Sequence, residues 1–163
     1  MSIERIDKQR SGFESLLQER GIVYQVKQDK ALLIAYRTTV IQLSWHDLGD
    51  RTAVRLLVPV VVEISKITPV LSLFLAETNN DLAQMNDDVL RYSFSLDTKL
   101  NAVWFEHGLL ADHLDAEELY SALAAIVVTV DEYTEQIASL SGGTCFAEAI
   151  SQTPPAEWRD SHD

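Results

Sequence analysis

Thr52-Ala53-Val54-Arg55-Leu56-Leu57-Val58-Pro59-Val60-Val61-Val62 is the stretch on which the reading of this chain turns. It is dense in β-branched residues and follows the turn-forming Leu48-Gly49-Asp50, so it reads as a long strand. Pro59 has no N–H to give to a ladder, so the strand either lies at an edge there or bulges. Upstream, residues 22–28, 31–37 and 40–46 form three shorter β-rich runs, with a turn at Asp29-Lys30. Together the four runs predict an antiparallel meander.

A helix is predicted over residues 2–20, where Ile3, Ile6, Phe13, Leu16 and Leu17 fall at helical spacing, Arg10 interrupts the seam, and Gly21 supplies a stop. On the other side of the strand, Thr68-Pro69 has the form of an N-cap followed by proline at the first helical position. Val70, Leu71, Leu73, Phe74 and Leu75 follow, and Asn79-Asn80 is expected to end that helix. Val89, Leu90, Tyr92, Phe94 and Leu96 then begin a strand, whose hairpin partner covers residues 100–110 across a turn at Asp97-Thr98-Lys99. Asp115 and Glu118 have the spacing of a capping box and open a last long helix, with Leu119, Leu123, Ile126, Val130, Tyr133, Ile137 and Leu140 as its apolar seam. Ser141-Gly142-Gly143 closes it. The expected organisation is one domain over residues 1–140 and an acidic tail over residues 141–163.

Composition narrows the partners. With 13 basic and 25 acidic residues the net charge is -12. Residues 1–66 carry ten basic and eight acidic side chains and residues 67–163 three and seventeen, and no lysine or arginine occurs between Asn101 and Trp158. Such a surface repels phosphates and anionic lipid, which argues against nucleic acid and membrane and in favour of protein, although solubility alone also accounts for it. Cys145 is the single cysteine, the first residues lack the apolar run of a signal peptide, and no apolar stretch approaches the roughly 20 residues that span a bilayer, so the expected address is cytoplasmic.

No constellation reaches a catalytic signature. The six glycines include none that precedes a helix as a phosphate cradle, and Gly142-Gly143 reads as helix termination. Glu106-His107 and Asp112-His113 contain nitrogen and oxygen ligands for a metal or small-ligand site, the alternative to a binding module, but strand alternation separates them. Trp45-His46-Asp47 has no identifiable nucleophile, and Asp87-Asp88 and Glu117-Glu118 read as a solvated turn and a helix start. Cys145 has no basic neighbour to activate it. A regulator acting within DNA-associated complexes through the more basic first half is a third reading.

Taken in order, the run Leu56 to Val62, the segment Leu71 to Asn80 with Phe74-Leu75 and Asn79-Asn80, the run Tyr92-Ser93-Phe94-Ser95-Leu96-Asp97, Leu114-Asp115, Leu119, Leu123 and Val130-Asp131-Glu132-Tyr133 resemble the YbjN-type bacterial family, which has the fold of type III secretion chaperones. The resemblance implies an α+β fold in which a curved antiparallel sheet carries helices. It implies a homodimer without cofactor or enzymatic activity that binds an extended segment of a client protein over apolar surface. Apart from the resemblance, a helix with Leu71, Leu73, Phe74 and Leu75 together has no fully polar face, so Val70, Leu71, Leu73, Phe74 and Leu75 are expected to form the partner-binding or dimer surface, the alternative being a helix buried on two sides within one subunit.

Overall fold

The computed structural model describes residues 2–37, 39–85, 91–110 and 114–152. Eleven elements follow in the order α1 (Ser2–Glu19), β1 (Tyr24–Val26), β2 (Leu32–Tyr36), β3 (Thr39–Asp47), β4 (Thr52–Val62), α2 (Pro69–Met85), β5 (Arg91–Asp97), β6 (Ala102–Leu110), α3 (Ala116–Ser141), β7 (Thr144–Cys145) and α4 (Phe146–Gln152). The strands make one antiparallel sheet in the order β1-β2-β3-β4-β6-β5, with β7 added to the end of β4. The α+β class and the meander are as the sequence predicts.

One face of the sheet is apolar because alternate residues point to it. Its central row runs Leu32, Leu43, Leu56 and His107 across four strands. Its three leucines are buried in one cluster with Phe13, Leu16 and Leu17 of α1 and Leu119, Leu123, Ile126, Val130 and Ile137 of α3, and His107 is buried at the end of the row. The predicted seam of α3 therefore packs on its own sheet, with Tyr133 and Leu140 half-buried at its margin. On the opposite face the next row, Gln42, Leu57 and Glu106, is half-buried, and Arg55 forms an ion pair with Glu106 there.

Pro59 resolves as a bulge. The register of β4 with β6 shifts between Pro59 and Val61, and the pairing of β4 with β3 ends at Leu57, so neither neighbour requires the missing N–H. The expected chain end also changes character. Gly142 caps α3 in the left-handed region at φ 65°, and Gly143 passes so close to β4 that an added Cβ would lie 2.5 Å from Val61 Cγ1 and 2.8 Å from the Val62 carbonyl oxygen. That approach lets Thr144–Cys145 pair with Val61 and Val62, so residues 141–152 are folded with the domain. The remainder of the expected tail, including Glu157 and Trp158, lies outside the described residues, as do Asp87, Asp88, Val89 and Leu90.

Two glycines should respond oppositely to alanine. Gly143→Ala meets a backbone carbonyl that cannot move aside, and thermal unfolding is expected to show a loss of about 1–3 kcal/mol. Gly12→Ala, in the exposed middle of α1 with nothing within 4 Å of the new methyl, should gain about 0.5–1 kcal/mol.

Candidate functional site

Helix α2 starts as its sequence dictates: Thr68 Oγ1 accepts a hydrogen bond from the Leu71 N–H at 3.2 Å, and Pro69 occupies the first turn, where no N–H is needed. Only one stripe of the helix is buried, made by Leu71, Leu75, Thr78 and Leu82, with Phe74 packed half-buried beside it. The five apolar residues that mark α2 in the sequence therefore part company. Leu71 and Leu75 belong to the core of their own subunit. Val70 and Leu73, each 60% exposed, face outward, and Ile67, 49% exposed just before the N-cap, is a third exposed aliphatic side chain in the same stretch. This ridge lies in a run without any charged side chain between Lys66 and Glu77.

Asn79 does not end the helix, which continues to Met85. Its side chain faces edge strand β5. Asn79 Nδ2 donates to the Phe94 carbonyl at 2.9 Å, and the Phe94 N–H donates to Asn79 Oδ1 at 2.7 Å. A single amide side chain thus satisfies both backbone groups that this edge residue turns away from β6. Phe94 is fixed from the other direction by Phe105, with ring centroids 4.7 Å apart, and by Tyr133 of α3 at 5.8 Å.

Of the residues of the metal or small-ligand alternative, the two that are described point to opposite faces of the sheet. Glu106 lies on the half-exposed sheet face and His107 on the buried one, because they are adjacent in β6. Asp112 and His113 lie outside the described residues. Among the described residues no group of three or more histidine, cysteine, aspartate or glutamate side chains is placed to hold a metal ion. A cavity of about 450 Å³ opens beside His107, walled by Leu109, Leu114, Ala122 and Ala125, with Asp115 and Glu118 along its lining. Asp115 is engaged as the N-cap of α3, accepting from the Glu118 N–H at 2.8 Å. Glu117, also in that lining, is held by Arg20 at 2.9 Å. Arg20 stacks on Tyr120, 3.9 Å from the ring centroid, and its bond to Glu117 raises its pKa, keeping it charged.

Ser44 and His46 share a hydrogen bond of 2.9 Å on the half-exposed sheet face. The two side chains share that face because they are two residues apart in β3, and Trp45 between them points to the other face.

A family model described as T3SS (YopN, CesT) and YbjN peptide-binding chaperone 1, TY-Chap1, matches residues 13–149. No curated protein matches the chain. The match runs from the C-terminal part of α1 into α4 and contains the ridge, the Asn79 contact and the two-glycine junction.

Cys145 is held as a neutral thiol. Burial first, then Glu148 and Glu135, push its pKa above the ordinary thiol range. Modification by a disulfide reagent should therefore be much slower in the folded chain than in urea at the same pH. The linkage has a definite sign. The stabilising contribution of this group is complete below about pH 8.5, the unfolded thiol value, and is lost as pH rises through the folded one. Equal rates in folded and unfolded chain would show the thiol to be unprotected.

Proposed function

The chain belongs to the TY-Chap1 family of peptide-binding chaperones, and from that premise we propose that it is a non-enzymatic holder of an extended client polypeptide that works as a homodimer. The observation that carries this reading is the ridge of Ile67, Val70 and Leu73. Fully burying an aliphatic side chain of this size stabilises by roughly 1.5–3 kcal/mol. A ridge set against its own copy buries six of them with no further requirement on the sequence. The absence of charge from Lys66 to Glu77 matches the depletion of charged residues at interface cores.

The client is polypeptide on the same physical grounds. A net charge of -12 repels nucleic acid and anionic lipid. Among the described residues no helix is long and apolar enough to cross a membrane. A cytoplasmic address accords with the single cysteine, which excludes any disulfide within the chain. The function needs no cofactor, since the surface that carries it is made of aliphatic side chains.

Sedimentation equilibrium at high micromolar concentration should give twice 18.3 kDa for the native chain and 18.3 kDa for Val70→Glu with Leu73→Glu, at an unchanged melting temperature. A native chain of 18.3 kDa would overturn the homodimer. An array of unfolded peptide segments on which nothing is retained would overturn the holder reading. Leu71→Asp serves as the contrast: it buries a charge in the subunit core and should abolish cooperative melting instead of dissociating a folded dimer.

A further inference from the structure

We propose that Asn79 is a latch that holds α2 over the β5 edge and keeps that edge from pairing with the β5 of a second copy. The two hydrogen bonds between Asn79 and Phe94 are the bonds a neighbouring antiparallel strand would make at that residue, one to the N–H and one to the carbonyl. An edge strand of seven residues is a template for strand addition, and covering it with a helix is one of the ways proteins close such an edge.

The occupant follows from the sequence of β5, Arg91-Tyr92-Ser93-Phe94-Ser95-Leu96-Asp97. A two-fold axis through Phe94 pairs Arg91 with Asp97, Tyr92 with Leu96 and Ser93 with Ser95. Opposite charges then meet at both ends, apolar residues meet inside them, and serines flank the centre. In that register Phe94 pairs with itself and exchanges both backbone bonds, the same two groups that Asn79 occupies. The strand is therefore self-complementary about the residue that is latched. A second copy fits it better than an arbitrary peptide does, and the contact is isologous.

For a second β5 to enter, the C-terminal half of α2 has to swing off the edge. Within that half Thr78 and Leu82 are the buried residues described, whereas Leu71, Phe74 and Leu75 anchor the N-terminal half. Asn79 sits where the weaker half meets the edge, and it lies on a different side of the helix from Val70 and Leu73. The inference accordingly stands apart from the proposed dimer ridge.

Hydrogen exchange and sedimentation equilibrium test it together. In the native chain the Phe94 amide should exchange at least about tenfold more slowly than that of Leu96, the next residue of the same outward parity. In Asn79→Leu that difference should vanish. A species of twice the parent mass should appear at high micromolar concentration, in the native background and in Val70→Glu with Leu73→Glu alike. Adding Arg91→Asp sets like charges opposite each other and should restore the parent mass. The proposal is overturned if Phe94 exchanges as fast as Leu96 in the native chain. It is equally overturned if Asn79→Leu keeps the parent mass at every concentration, or if Arg91→Asp leaves the doubled species intact. Should Asn79→Leu fail to fold, Asn79→Ser is held to the same outcomes.

Discussion

Strand β4 is the constraint from which the rest of the molecule hangs. It is shared by β3, β6 and β7, and from Val54 to Val61 nearly every apolar side chain on it is buried. Just beyond its end the Ser65 and Lys66 N–H groups both donate to the Ser141 carbonyl, at 3.1 and 2.9 Å, while Gly143 passes against Val61 and Val62. The C-terminus of α3 is thereby fixed relative to the centre of the sheet. With Asp115 capping the other end, the seam from Leu119 to Ile137 has one place to lie, on the row that contains Leu56 and His107. Helix α2 leaves β4 on the other side of the same junction and reaches β5, so its attachment is to an edge and its outer side remains uncovered.

Signals carried by a few neighbouring residues were legible before any coordinates. The β-branched run of β4, the Thr68-Pro69 start, the Asp115 cap and the Gly142-Gly143 stop each express a local steric or hydrogen-bonding rule, and each lies where its rule puts it. Asn79-Asn80 was misleading for the converse reason. Asparagine in a helix costs a few tenths of a kcal/mol to about 0.7 relative to alanine, an amount that two hydrogen bonds to a strand 15 residues away readily offset. Nothing within the helix reports that strand. The two-residue β7 is invisible in the same way, since its signal is the space left by Gly143 against β4.

The candidate surface was legible as a segment but not as a face. Val70, Leu71, Leu73, Phe74 and Leu75 announce a helix with apolar excess, and their composition alone does not separate the residues that face in from those that face out. The phase is set by Leu71, Leu75, Thr78 and Leu82, and a threonine in the buried stripe with a leucine outside it blurs the periodicity. Ile67 lies before the cap and outside the helix, so helical periodicity omits it although it too is exposed. In α3 the same periodicity was unambiguous because twenty-six residues average over such exceptions.

A protein that receives polypeptide has to leave some apolar surface uncovered without condensing on itself, and the two ends of this sheet handle that demand differently. At one end β1 is only three residues long, too short to template extensive pairing, with Val26 at its end and Val23 just before it exposed. At the other, β5 has seven residues, and its central backbone groups are occupied by a side chain of α2. The helix that closes this edge is also the one that presents Val70 and Leu73 to solvent. Covering β5 and displaying the ridge are thus tasks of two halves of one element, the C-terminal half lying over the edge and the N-terminal half, anchored by Leu71 and Leu75, carrying the ridge. The acidic excess after Ile67 then limits approach by other copies to contacts that hide enough apolar area to outweigh repulsion between subunits of net charge -12. Selectivity in such a molecule comes less from any single recognition pocket than from how little of its apolar and unpaired backbone surface is left available at one time.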